Sequence, residues 1–185
     1  MKTDTGLTDD AKKGVAHILN ENLCDEYVLY TKTRNCHWNV TGPAFSALHV
    51  FFEKQYEELD EIVDDVAERV RAVGGWALGT LAEFSGKAKL KERPGGYADA
   101  EDMLRDLVAD HEVVIKRLRN DLVTCDKKYR DAGTSSFLTD LIESHETMAW
   151  MLRAHLGGRT ETAKTAASDG RADVELMDDP FGSGD

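Results

Sequence analysis

Cysteine and proline are both scarce, three of each in 185 residues, and basic side chains are in deficit. Three thiols are too few, and odd in number, for a disulfide framework, which points to a reducing compartment. So few prolines leave long helices free to propagate. No window approaches 18 consecutive apolar residues, which excludes a membrane-spanning helix. The opening Met1-Lys2-Thr3-Asp4-Thr5 has no apolar core of the kind a secretory signal needs, so a cytoplasmic location is expected. The 23 Lys and Arg face 35 Asp and Glu, for a formal charge of -12. That balance opposes direct binding to nucleic acid, where clustered cations must neutralise phosphates.

What remains is ample for one domain: 41% of residues are hydrophobic and the length fits a single core. The apolar periodicity is helical almost throughout, and no segment alternates as a half-buried strand does. A first helix is predicted from an N-cap at Thr8, with Asp9 and Asp10 in its positive first turn, through Val15, Ile18, Leu19, Leu23, Tyr27 and Tyr30 to about Val40. Thr41-Gly42 stops it, and Pro43 suits the first turn of a second helix, which runs to Val73 and ends at Gly74-Gly75. Asp99 caps a third, with Leu104, Leu107, Val108, Val114, Ile115, Leu118 and Leu122 on its apolar side. Gly133 is expected to end it. Thr134 to Leu156 form the fourth, closed by Gly157-Gly158.

Between the second and third helices lies a long connection, Trp76 to Tyr97, punctuated by Gly79, Gly86, Pro94, Gly95 and Gly96. A link of that length is expected to cross from one end of a bundle to the other or to make contacts of its own, and a short helix is expected within it. One long crossover among four helices is the ferritin-like, all-α arrangement rather than the simple up-down one. Residues 8–158 make up the bundle. Residues 1–7 read as a flexible lead, with Lys2, Lys12 and Lys13 balancing Asp4, Asp9 and Asp10 over the first thirteen positions. From Arg159 to Asp185 three positive and seven negative residues leave a net of -4, the composition of an acidic disordered tail.

The second helix carries the chemical signal. At about 100° per residue, His49 at zero places Glu53 near 40°, Asp64 near 60° and Glu68 near 100°, so all four share one stripe. Asp60 and Glu57 fall on the same stripe. Each i, i+4 pair is able to grip an ion, but His49 and Asp64 are separated by about 22 Å of helix rise. A ligand sits about 2 Å from its metal, so one helix cannot close both pairs around one centre. If all four act together, the second pair must come from another molecule. A two-fold axis crossing the helices antiparallel achieves this and generates two equal sites per dimer. His37, one turn before the first helix ends, folds back beside His49 through the Thr41-Gly42-Pro43 reversal. Two imidazoles and three carboxylates form a mixed nitrogen and oxygen set that suits iron, with zinc or manganese as competitors.

The stretch His37-Trp38-Asn39-Val40, then Gly42, Phe45, Leu48-His49, Glu53, Asp64, Ala67-Glu68-Arg69 and Gly74-Gly75 resembles the Dps family of miniferritins, as does the later Ala77-Leu78-Gly79-Thr80. The similarity spans roughly residues 10 to 157, and the spacing His-x11-His-x3-acid-x10-Asp-x3-Glu is matched at every ligand position. The resemblance implies a ferroxidase centre between two-fold-related subunits, with His37, His49 and Glu53 from one chain and Asp64 and Glu68 from its neighbour. It places Trp38 beside that centre, where the residue is expected to pack, with the quenching of an oxidising intermediate as its functional alternative. It also implies a hollow cage of twelve subunits that oxidises Fe(II), typically with hydrogen peroxide, and stores the ferric mineral. Two rival functions stand beside it: a nucleoid protein that binds DNA directly, and a small di-iron oxidoreductase acting on an organic substrate. Twelve chains at -12 carry about -144 formal charges, so any protection of DNA is expected to be indirect.

The remaining candidates read more plainly. His17, His111, His145 and His155 have no partner at ligand spacing and are expected to pack or face solvent. Glu143-Ser144-His145 lacks the Glu-x-x-His spacing of bundles that hold metals inside each subunit. Trp76 and Trp150 are expected to be packing residues. Cys24 and Cys36, about 18 Å apart along one helix, cannot bridge, and Cys36 is a spectator beside His37. Glu57, Glu58, Asp60 and Glu61 either line a cavity where mineral nucleates or simply solvate their helix.

Overall fold

The computed structural model describes residues 4–157; the acidic tail expected from Arg159 lies outside them. Five helices and no strand occupy the described residues, the ferritin-like all-α bundle that the periodicity implied. Helix α1 (Asp9–Asn39) starts where Thr8 accepts the Ala11 N–H at 3.2 Å, with Asp9 and Asp10 in the first turn. Helix α2 (Phe45–Ala72) begins two residues later than expected. Pro43 sits in the turn preceding it rather than in its first turn, and no side chain caps Ala44.

The crossover contains helix α3 (Leu81–Lys87), started by a reciprocal capping box in which Thr80 accepts the Glu83 N–H and Glu83 accepts the Thr80 N–H. Asp99 caps α4 (Ala100–Lys127) by accepting the Asp102 N–H at 2.8 Å. Helix α5 (Ala132–His155) begins earlier than the glycine suggested. Asp131 caps it through the Thr134 N–H, and Gly133 lies inside its first turn instead of ending α4. The reversal between the two helices is made by Arg130 at φ 55°, so the left-handed residue is an arginine and not the glycine.

Contacts fix the course of the chain. Helices α1 and α2 form one antiparallel hairpin, α4 and α5 another. The end of α2 returns to the start of α1, where a β-carbon on Gly75 would lie 2.6 Å from the Ala16 methyl. The crossover then climbs α1 in three fastened steps: Asn20 donates to the Trp76 carbonyl, Asp25 accepts the Lys89 and Leu90 amides, and Lys32 donates to the Lys91 carbonyl. Helix α4 runs back down and meets the start of α1 at Gly14, whose bare backbone leaves room for the Tyr129 ring. Helix α5 rises again from Arg69, which donates to Thr134, to His155, whose ring lies 4.4 Å from Phe51.

The core is one cluster that includes Leu19, Leu23, Leu29, Phe52, Leu59, Leu107, Leu118, Leu138, Met148 and Leu152, all fully buried. Each such side chain contributes about 1.5–3 kcal/mol of burial. The seam between the hairpins is polar. Arg117 of α4 pairs with Asp25 at 2.5 Å and Glu21 at 2.7 Å on α1, and Lys32 of α1 pairs with Asp106 at 2.8 Å and with Asp110 on α4. These buried charges leave few alternative ways of docking one hairpin on the other, because a shifted register strands a charge without its partner. Trp76 and Trp150, expected to pack, are 79% and 60% exposed on the single chain.

Candidate metal centre

The turn joining α1 to α2 sets two histidines face to face. The imidazoles of His37 and His49 stack at 3.8 Å between centroids with planes 19° apart. Each Nδ1 lies 2.8 Å from the other residue's backbone carbonyl, His37 Nδ1 on the His49 carbonyl and His49 Nδ1 on the His37 carbonyl. A carbonyl only accepts, so each Nδ1 carries the proton and donates it. Both Nε2 atoms are thereby left as lone-pair donors, held in position by a reciprocal clasp. Metal-binding histidines are commonly prepared in this manner, the second ring nitrogen fixed by a backbone carbonyl.

The clasp is walled by aromatic rings. Phe45 stacks on His49 at 5.1 Å, and Tyr56 meets His37 edge-on at 5.2 Å. The Arg34 guanidinium lies 5.4 Å from both the Trp38 and Tyr56 ring centroids. Trp38 itself is 64% exposed. His37 is buried and His49 half-buried; Glu53, one turn further along α2, is half-buried on the same face.

Asp64 and Glu68 stand apart from this group. Both are exposed near the far end of α2, which is continuous from Phe45 to Ala72, so the about 22 Å of rise from His49 applies unbroken. Among the described residues no three His, Cys, Asp or Glu side chains of one chain are gathered around a point fit for an ion. The structure thus brings two of the five expected ligands into contact and leaves the acidic pair at a distance.

Tyr56 and Arg34 escaped the sequence reading, although Tyr56 lies two helical turns beyond His49 on the same face. His111 and His145, expected only to pack or face solvent, are both fully buried and touch one another. Between α2 and α5 runs an open groove of about 640 Å³ whose lining includes Glu57, Glu58, Glu61, Asp65 and Asp140. Asp60, which was grouped with them, is not part of that lining.

The fold and the histidine clasp can be set against known proteins. A ferritin-like domain model matches residues 16–160. A DNA protection during starvation protein of Bacillus anthracis is 35% identical over 144 residues, covering 78% of this chain and 97% of the relative. The chain belongs to the Dps family of ferritin-like proteins. An uncharacterized low temperature-induced protein of Nostoc sp. is 43% identical over 158 residues, covering 85% of this chain and 88% of that relative. The crystal structure of Dps from Vibrio cholerae superposes with a TM-score of 0.78 at 30% identity, covering 84% of this chain and 98% of the other. Its description places it in a broad superfamily of ferritin-like diiron-carboxylate proteins. Such membership carries iron handling and homo-oligomeric assembly as the family's general character. Among the described residues no helix is long and apolar enough to cross a membrane.

Proposed function

We propose that this Dps-family chain is a cytoplasmic miniferritin that takes Fe(II) as substrate at centres shared between two subunits. Hydrogen peroxide is the oxidant, and the ferric product is stored inside a cage of twelve copies. The observation that supports it most is the histidine clasp: two bare Nε2 atoms, pre-oriented by reciprocal backbone hydrogen bonds, with a carboxylate one turn away.

His37, His49 and Glu53 supply one half of the ligand set, and Asp64 and Glu68 of a second copy supply the other. The mixed nitrogen and oxygen donors suit Fe(II), with Zn(II) as a competitor for the same atoms. Carboxylates favour the ferric state and so lower the cost of electron loss. Two ferrous ions each release one electron, and one peroxide accepts both to give two hydroxides. Exposed Asp64 and Glu68 form a weak shell that lets the ferric product leave toward carboxylate-lined surfaces such as the groove between α2 and α5. Trp38, beside the clasp and open to approach, is placed to give up an electron to any stray one-electron oxidant.

Protection of DNA on this reading is indirect, through removal of iron and peroxide, since the formal charge of -12 per chain repels phosphate. The test is the double variant Asp64→Ala/Glu68→Ala. It retains assembly and loses most of the peroxide-driven rate of iron oxidation; unchanged kinetics would refute the site. Iron accumulating to hundreds of atoms per particle separates storage from the rival small oxidoreductase, which takes up only stoichiometric metal.

A further inference from the structure

The centre of the bundle holds a second titratable cluster, built from residues outside the His37–His49 clasp. Glu26 of α1, His111 of α4 and His145 of α5 are each fully buried, at positions the apolar stripes of their helices assign to the core. His145 stands between the other two. Its Nδ1 lies 2.9 Å from His111 Nδ1, and its Nε2 lies 3.1 Å from Glu26 Oε1. The cluster spans the seam: the carboxylate belongs to the first hairpin and both imidazoles to the second.

Its wiring is uneven. Glu26 faces His145, so a charge on that imidazole has a carboxylate beside it. His111 has no carboxylate beside it; the group it hydrogen-bonds is another imidazole, and its Nε2, like that of His145, is buried without a hydrogen-bond partner. Glu58 of α2 feels the charge of His145, whereas the charge that reaches His111 from α5 is the cation Arg153. Burial first, then His145 and Arg153, hold His111 well below the usual histidine range.

We propose that His111 is an acid-sensitive latch between the two hairpins, required to stay uncharged for the bundle to close and charged only when it opens. The sign follows from linkage. The closed state refuses a proton that the opened chain accepts below about pH 6.5, so stability is full above that pH and is lost as pH falls. One such proton makes opening up to about tenfold more favourable per pH unit.

The test is urea unfolding of the full-length protein at one fixed concentration, from pH 7.5 down to pH 5, with size-exclusion chromatography alongside. Against wild type, His111→Phe flattens the acid loss by up to about tenfold per unit. His111→Asn, which keeps a polar side chain but cannot take up the proton, flattens it as much. His17→Phe, altering an exposed histidine, runs parallel to wild type. Equal slopes for wild type and either His111 variant overturn the proposal. If the phenylalanine variant does not assemble, the His111→Asn slope decides alone.

Discussion

If the metal centre is split between two chains, two dead variants should rescue one another. One variant loses the histidine half, His37→Ala with His49→Ala; the other loses the acidic half, Asp64→Ala with Glu68→Ala. Neither change threatens the fold. Each histidine contributes one backbone hydrogen bond worth about 0.5–1.5 kcal/mol, and both carboxylates are exposed. The structure fixes the magnitude of the rescue. Because α2 runs unbroken from Phe45 to Ala72, no chain can bend its own acidic pair back across about 22 Å to its own histidines. A centre therefore works only when the histidine half comes from the second variant and the acidic half from the first. In a random equimolar co-assembly that combination arises at about a quarter of the two-fold-related centres. The assay is the initial rate of ferric absorbance after adding Fe(II) and peroxide to co-expressed particles, less the rate of each variant alone. Recovery of about a quarter of the wild-type rate is expected. No recovery above the separate variants would show that the halves do not meet across an interface.

Other consequences can be checked separately. Phe52→Ala removes a fully buried ring from the core and should cost about 3–5 kcal/mol in chemical unfolding; a loss below 1 kcal/mol would mean the site collapses freely or is not core. Burial pushes the Cys24 thiol up to about 11 and the Cys36 and Cys125 thiols up to about 12, so the native protein should resist alkylation at pH 8 and denaturant should expose three thiols. Arg117→Leu leaves the buried Asp25 carboxylate with only the Lys89 and Leu90 amides and should cost more in chemical unfolding than loss of an exposed pair such as Arg105 with Glu101, which is worth about 0–1 kcal/mol. In a gel-shift titration no retardation of duplex DNA is expected; a shift that fades steeply with salt would instead mark direct phosphate contact.

How far the sequence went depended on whether the signal was local. Thr8 and Asp99 announced their helices because a cap is read from the residues it joins, and the crossover was legible from its length and glycines. Pro43 and Gly133 misled by one or two residues for a related reason. The start of α5 is set by Asp131 reaching the Thr134 amide, and the preceding reversal falls to Arg130, so Gly133 is simply a small residue in a first turn facing Arg69. The separation of His49 from Asp64 needed only helix geometry. The clasp of His37 and His49 did not follow from spacing, because it depends on how the turn aligns two carbonyls with two rings. The buried Glu26, His145 and His111 had a readable trace, since all three interrupt apolar stripes at core positions. Reading residues for spacing within one helix hid a cluster assembled from three. Trp76 and Trp150, expected to pack, lie exposed on the single chain, because a large apolar side chain does not by its type alone say which face of its element it occupies.

The central claim is most directly tested by locating the metal. Crystals of the full-length protein soaked anaerobically in Fe(II) and measured at the iron absorption edge should show anomalous peaks in pairs related by a two-fold axis, each bounded by His37, His49 and Glu53 of one molecule and by Asp64 and Glu68 of the next. A peak ligated by residues of a single molecule, or particles that load iron with no peak at the clasp, would contradict the account.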